Sequence, residues 1–408
     1  MEADATLRAK IVPIDQAAVT IRLSALYIGF GMTMGAIQGG LPTVLRSQGA
    51  SIGSAGWLYA LYLPFGIAFL WSPLVDRWRP AVLTPRIGWI VPMQLIAALI
   101  VGAIAFLEGM PIPLLFALGL LVACAMATMD IALDALAVDL VAPGWRPEAA
   151  AAKLAALSLG AMIGSGAFVA LFQSLGWRVI LLSCAAVLLI LPLAILPLIT
   201  AERALTPREP ASAGRASLLA VLRDPLQRRR LLLLTIACCV IFPLSGLNRL
   251  MLVDIAVPPE TIGWVVGTLT PLCMLAIAGS AATLMKRLGH SGAMTLFAAL
   301  GLAALLAMGF GYGLRSPSLA IGGAIAIAAA VSGIYVVITA GILRWARGSQ
   351  PATDYSVFYG VGRFTSTVVM IAAAQFIGSL GWLTFYAIGG CALIGVVALL
   401  LAPISESE

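Results

Sequence analysis

Charge is scarce in this sequence. Only 10% of its 408 residues are Asp, Glu, Lys or Arg, 62% are hydrophobic, and the mean hydropathy is +1.06. A soluble domain carries about a quarter charged residues, so most of this surface cannot face water. Histidine occurs once, as His290, beside Lys286 and Arg287 in a short polar break. Histidine-based acid–base chemistry and histidine metal sites therefore have almost nothing to build on. HExxH runs are absent, and GFGYG (309–313) and YGVGR (359–363) lack the strand–loop–helix setting of a nucleotide site. The six cysteines (Cys124, Cys184, Cys238, Cys239, Cys273 and Cys391) sit in apolar segments without CxxC spacing, which reads as packing. No cofactor and no metal site are expected, and the chain does not read as an enzyme.

What is present is oil, in repeated stretches of about 20 residues separated by short polar breaks. Alternating ten-residue strands of an outer-membrane barrel are not seen. The pattern reads as an all-α membrane protein with twelve spans, roughly 21–45, 54–74, 87–108, 112–141, 149–173, 177–199, 231–254, 261–285, 292–313, 317–345, 353–377 and 381–402. The polar start, MEADATLRAKIVPIDQ, has no apolar core with a cleavage site, so the first segment is expected to stay in the membrane.

The net charge of +7 could suggest nucleic acid, but the basic residues are distributed by side of the membrane. About nineteen of the 24 Lys and Arg fall at the N-terminus or in the breaks after even-numbered spans. The other side holds Arg46, Arg178 and Arg315, and Arg249 and Arg363 lie within spans. That asymmetry puts both termini and the linker in the cytoplasm, with no nucleic-acid partner.

The two halves repeat at an offset of about 205–210 residues. SLGW occurs at 174–177 and 379–382; SPLVDRWR (72–79) lies opposite ATLMKRLG (282–289); Gln38 aligns with Asn248. The expected domains are a six-helix bundle over 1–199, a cytoplasmic linker over 200–230 and a second bundle over 231–408. A parallel duplication of this kind is a secondary-transporter pattern.

Within MDIALDALAVD (129–139), three carboxylates enter an apolar helix. Asp130 and Asp134 are about 40° apart on the helical wheel, and Asp139 points away near the helix end. A carboxylate inside the membrane must be protonated, paired or wet. Asp130 and Asp134 are accordingly the proton-coupling candidates, with a structural ion pair as the plainer alternative. Arg363 lies about 15 Å into span eleven. It follows Tyr359 on one helical face, where it serves either an anionic or aromatic ligand or an acid from span four. FPLSGLNRL (242–250) breaks span seven before Asn248 and Arg249, and GAIQGGLP (35–42) breaks span one around Gln38. Paired interruptions mark binding sites in transporters. Gln38, Asn248 and Arg249 are therefore ligand candidates, with Tyr27, Tyr59, Tyr62 and Tyr335 as further cavity aromatics. Gly31, Gly35, Gly39, Gly160 and Gly164, four apart on spans one and five, are expected to let helices approach closely.

FLWSPLVDRWRP (69–80), RIGW (86–89) and MDIALDALAVDLV (129–141) together resemble the muropeptide permease branch of the major facilitator superfamily. That branch includes bacterial inner-membrane importers of iron–siderophore complexes, of the ferri-pyochelin and rhizobactin type. The resemblance implies a proton-driven importer working by alternating access. It also implies a cytoplasmic gate of Asp76, Arg77 and Arg79, with Asp139 as partner of Arg77. The compact twelve-span layout is most similar to the siderophore importers. The expected cargo is thus a ferri-siderophore such as ferri-pyochelin, carried by a monomer whose other partners are protons and the lipid bilayer. An anhydromuropeptide or another amphiphilic solute is the alternative cargo, and a non-transporting sensor or scaffold the alternative of another class.

Overall fold

The computed structural model describes residues 15–78, 80, 83–204, 224–345 and 351–401. Helices and short connections account for them, with no strand among the described residues. Ten helical stretches are long and apolar enough to cross a membrane, and a shorter apolar helix spans Ile52–Ile67. One of the ten, the 57-residue Glu148–Ala204, turns at Gly176 (φ 73°, ψ 171°) and so contains two spans. With that turn and the short helix counted, the twelve-span all-α reading holds.

The turns explain one of the repeats. Gly176 and Gly289 (φ 72°, ψ 175°) occupy a region of backbone space that only glycine enters freely, and Gly381 (φ 79°) is also at positive φ. In each SLGW the glycine reverses the chain and the tryptophan opens the next helix. Both indoles are buried and both donate: Trp177 Nε1 to the Ile104 carbonyl at 3.0 Å, Trp382 Nε1 to Asp254 Oδ2 at 2.7 Å.

Several spans are interrupted. Span one runs as α-helix over Gln16–Gly35, widens to a π turn over Ala36–Gly40 and resumes over Leu41–Ser47. Further π turns occupy Ile163–Ala167 in span five and Ile262–Val266 in span eight. Span two is a relay of short α and 3₁₀ pieces from Ile52 to Arg77, in which Pro64 and Pro73 each withhold a backbone donor. In span seven the helix Pro225–Gly246 contains Pro243 and breaks at Leu247 before Asn248–Asp254 begins. The expected matched interruptions of spans one and seven are therefore real.

The chain forms two compact units. The first comprises Met1–Thr33, Leu70–Gly160 and Trp177–Ala213. The second comprises Met34–Phe69, Ala161–Gly176 and Gly214–Glu408. In the first, spans one and five meet backbone to backbone. A Cβ on Gly160 would lie 2.1 Å from the Ile28 carbonyl oxygen, and one on Gly31 would lie 2.4 Å from that of Leu157. At one end of this unit the Gln16 side chain accepts from the Ala142 amide at 2.9 Å, so spans one and four end together there. That end is called the terminal side below. In the second unit the same close approach continues. A Cβ on Gly40 would sit 2.5 Å from the Gly164 carbonyl oxygen, and one on Gly267 would sit 2.3 Å from Gly166 Cα. The small residues act as expected, since only they let helix axes come this near.

Outward faces are apolar, with Leu70, Ile190, Leu193, Phe310 and Leu314 all exposed. In a membrane protein these meet lipid.

Candidate functional site

In the first unit, one charged cluster stands out. Span four, a continuous helix Ile112–Leu140, carries Asp130 and Asp134 on one face. Asp134 Oδ1 accepts from Lys153 Nζ at 2.5 Å and from the Tyr27 hydroxyl. The Lys153 ammonium lies 4.6 Å from the Tyr27 ring centroid, over its face. Spans one, four and five thus each contribute one member. Asp130, one turn deeper, acts electrostatically on the Tyr27 hydroxyl. Tyr27 itself is 3% exposed, so this aromatic is a wall of the cluster rather than a free cavity ring. Lys153 was not singled out by sequence reading. It follows Glu148 in the polar opening of span five, where it looks like one more terminal-side cation, and nothing local reveals that it turns toward span four.

Also on the terminal side, Glu202 is buried. Its carboxylate accepts from the backbone amides of Arg86 (2.6 Å) and Ile87 (3.3 Å) and from the Thr84 hydroxyl. The helix Ile87–Ile104 has no side-chain cap of its own, so Glu202 supplies acceptors to its orphan donors from 115 residues away. Arg86 also approaches Asp139 at 3.8 Å. Span three begins where span four ends, which brings Arg86 to Asp139; the expected pairing of Asp139 with Arg77 involves a side chain outside the described residues. The side chains of Asp76, Arg77 and Tyr359, and all of Arg79, lie outside the described residues.

In the second unit, Arg249 turns inward. Its guanidinium donates to the Ser165 carbonyl and hydroxyl at 2.9 and 3.1 Å and fills the space beside Gly39, whose Cβ would lie 2.1 Å from Nη1. The first two π turns, Ala36–Gly40 and Ile163–Ala167, flank it, and the third, Ile262–Val266, packs against the second. Tyr59, 1% exposed, donates to the Gly246 carbonyl at 2.9 Å, just before the break in span seven. Asn248 is buried and donates to the Ser245 carbonyl at 3.2 Å, and its Oδ1 has no hydrogen-bond partner among the described residues. Gln38 is exposed. Arg363 donates to the Tyr62 hydroxyl and lies 4.8 Å from that ring's centroid. Tyr335 packs edge-on against Phe242 at 5.2 Å. Arg46 and Asp254 form an ion pair at 2.7 Å, which Trp382 extends.

The eight expected ligand residues whose side chains are described fall into separate groups; the Tyr359 side chain lies outside the described residues. Gln38, Tyr59, Asn248 and Arg249 gather around the π turns and the span-seven break. Tyr62 and Arg363 pair, Tyr335 lies with Phe242, and Tyr27 joins the aspartates in the other unit. Among the described residues, no three His, Cys, Asp or Glu side chains come together as a metal-holding group.

Apolar helices with their charges turned into the protein, and interrupted helices at matching places in the two halves, define a multi-pass membrane protein of the transporter class. The chain belongs to the Major Facilitator Superfamily, whose family model matches residues 23–253. It is 26% identical over 390 residues to the "Anhydromuropeptide permease" of Escherichia coli (strain K12), covering 92% of this chain and 78% of that protein. This similarity supports the muropeptide permease branch. Among solved structures, it resembles a bacterial homologue of the human lysosomal transporter Spinster, solved in an inward-facing, unoccupied conformation. The TM-score is 0.67 at 14% identity, covering 96% of both chains. It also resembles the nucleoside transporter NupG, with a TM-score of 0.65 at 13% identity over 94% of this chain and 98% of that one. These two structures speak for the fold.

Proposed function

We propose that this chain is a proton-coupled importer in the bacterial inner membrane, with an anhydromuropeptide-like solute (an amino sugar bearing a short acidic peptide) as its cargo. The observation that carries the cargo class is the 26% identity to the anhydromuropeptide permease, spread over 92% of this chain. The ferri-siderophore expected from the compact layout has no comparable support and takes second place. Both termini face the cytoplasm in this reading, as the basic residues require. In this reading 1–199 and 231–408 are the two six-helix bundles, 200–230 links them, and transport proceeds by alternating access.

Asp134, and Asp130 beneath it, carry the coupling proton. A carboxylate within a membrane alternates between a wet, charged state and a neutral one as its surroundings change. Arg363, Tyr359, Tyr62, Asn248 and Gln38 face the cargo; Arg249, Tyr59 and Tyr335 support the helix breaks beside it. Asp76, Arg77, Arg79 and Asp139 form the cytoplasmic gate.

The test is uptake by proteoliposomes under an imposed inward proton gradient, with a protonophore control. Labelled anhydromuropeptide and ferri-pyochelin are offered side by side. Gradient-dependent accumulation of the muropeptide is the expected result. Accumulation of ferri-pyochelin alone would return the cargo to the siderophore reading, and flux of neither would favour a sensor or scaffold on the same fold.

A further inference from the structure

We propose that Lys153 is the seat of a cargo carboxylate: on loading, its ammonium leaves Asp134 for that carboxylate, and Asp134 takes up the coupling proton. The inference rests on the transport reading above and adds a residue and a chemical selectivity to it.

The geometry points this way. Asp134 lies six residues before the end of its helix and Lys153 seven after the start of its own. At 1.5 Å per residue that is about 9 and about 10 Å from the terminal-side end, so the two meet at one depth. The pair is open: the Lys153 and Asp134 side chains are 31% and 48% exposed. An ion pair this exposed adds little stability, yet a charged cluster facing hydrocarbon is costly. Its open side must therefore be water, and stability alone gives no reason for it.

Both bonds to the carboxylate end on the same oxygen. Lys153 Nζ and the Tyr27 hydroxyl meet Asp134 Oδ1, and Oδ2 has no bond among the described residues. Oδ2 is the oxygen left for the proton to join. Once it does, the Asp134 hold on the ammonium weakens, because a neutral acid attracts a cation far less than a carboxylate. Lys153 has three N–H donors on a flexible stem and lies over the Tyr27 ring. It can turn toward an incoming anion while keeping that aromatic support.

Charge balances at both stages. Unloaded, the pair holds one ammonium and one carboxylate. Loaded, it holds the ammonium, the cargo carboxylate and a neutral Asp134. No covalent bond forms; one proton enters from water with the cargo and returns to water as the cargo carboxylate leaves and Asp134 re-pairs. The net charge of the pair and the cargo carboxylate together stays at zero, as a low-dielectric passage requires. Among the described residues, Tyr27 from span one and Lys153 from span five meet Asp134, and Asp130 lies one turn away on its own helix; Lys153 and Asp130 also engage further groups.

The experiment uses the full-length purified protein with two probes: an anhydromuramyl tripeptide as the free acid, and the same compound with its carboxylates amidated. In wild type the free acid should bind with uptake of about one proton, seen as up to about a tenfold loss of affinity per unit rise in pH, and the amide with none. Lys153→Gln should weaken binding of the free acid at least tenfold and abolish the preference over the amide, while Lys153→Arg retains the preference. Asp134→Asn should bind the free acid without pH dependence. Free-acid and amide binding with the same pH dependence in wild type would overturn the inference, even if Lys153→Gln did not fold. So would an undiminished preference for the free acid in Lys153→Gln. Wild-type liposomes that accumulate neither probe would overturn the transport reading instead.

Discussion

Arg249 Nη1 donates to the Ser165 carbonyl at 2.9 Å while Nη2 meets the Ser165 hydroxyl at 3.1 Å. The fork of one guanidinium therefore grips a π turn in span five from the broken end of span seven. The ammonium of a lysine is a point donor and does not reproduce this fork. Arg249→Lys should lower stability by about 1 kcal/mol, read as a fall in the melting temperature of the detergent-solubilised protein. Unchanged melting would mean that the grip is incidental.

Gly160 has no room for a methyl group. Its Cβ would lie 2.1 Å from the Ile28 carbonyl oxygen and 2.6 Å from the Met32 amide, both backbone atoms that cannot swing aside. Gly160→Ala should separate spans one and five and destabilise the protein by about 1–3 kcal/mol, the usual penalty of overpacking. Gly102, whose Cβ would meet only the Ala185 methyl at 3.8 Å, is the control. Gly102→Ala should be neutral or slightly stabilising, since alanine is the better helix former.

The SLGW turns give a different kind of glycine prediction. A Cβ at Gly176 or Gly381 meets nothing within 4 Å, yet both backbones are at positive φ. Alanine there should cost about 1–3 kcal/mol through conformation alone. Repacking the neighbours should give no rescue, and a suppressor screen that finds one would contradict this account.

Glu202 is 7% exposed and holds three donors at the start of span three. Glu202→Ala leaves one buried amide, one part-buried amide and a buried hydroxyl without acceptor, so a loss of about 2 kcal/mol or more is expected. Glu202→Gln keeps one acceptor oxygen and should fall between. Hydrogen exchange at Arg86 and Ile87 should rise in the same order; exchange equal to wild type in the alanine variant would remove Glu202 as the cap.

Arg46 and Asp254 tie the end of span one to the end of span seven, with Trp382 on the second carboxylate oxygen. Asp254→Asn and Arg46→Gln should each destabilise by about 1–3 kcal/mol. The double mutant should lose less than the sum, because the two residues share one interaction. Additive losses would show that the contact carries no energy. If the transport reading holds, weakening this tie should also favour opening at that end, measured as faster labelling of a cysteine placed beside Gly49.

How much of this was legible beforehand depends on how local the cause is. The twelve spans, the broken helices around Gln38 and Asn248 and the close approach at Gly31 and Gly160 follow from apolar run length and from the backbone behaviour of proline and glycine, which act within a turn or two. The SLGW repeat was visible as letters, and the positive φ of Gly176 and Gly381 supplies its reason. Asp130 and Asp134 could be put on one face because helix periodicity is fixed.

The pairings were not legible. Lys153 is 19 residues from Asp134, Ser165 is 84 from Arg249, Glu202 is 115 from Ile87, and Asp254 is 208 from Arg46. Nothing in the chemistry of an isolated lysine or arginine chooses among the acids and carbonyls of eleven other helices. Asp139 makes the point: only the meeting of two span ends brings Arg86 within 3.8 Å of it. The sequence by itself determined that the chain crosses a membrane as helices, where those helices break and which carboxylates lie inside. Only the tertiary structure decided what each buried charge holds, because an ion pair is selected by which helix ends pack at the same depth.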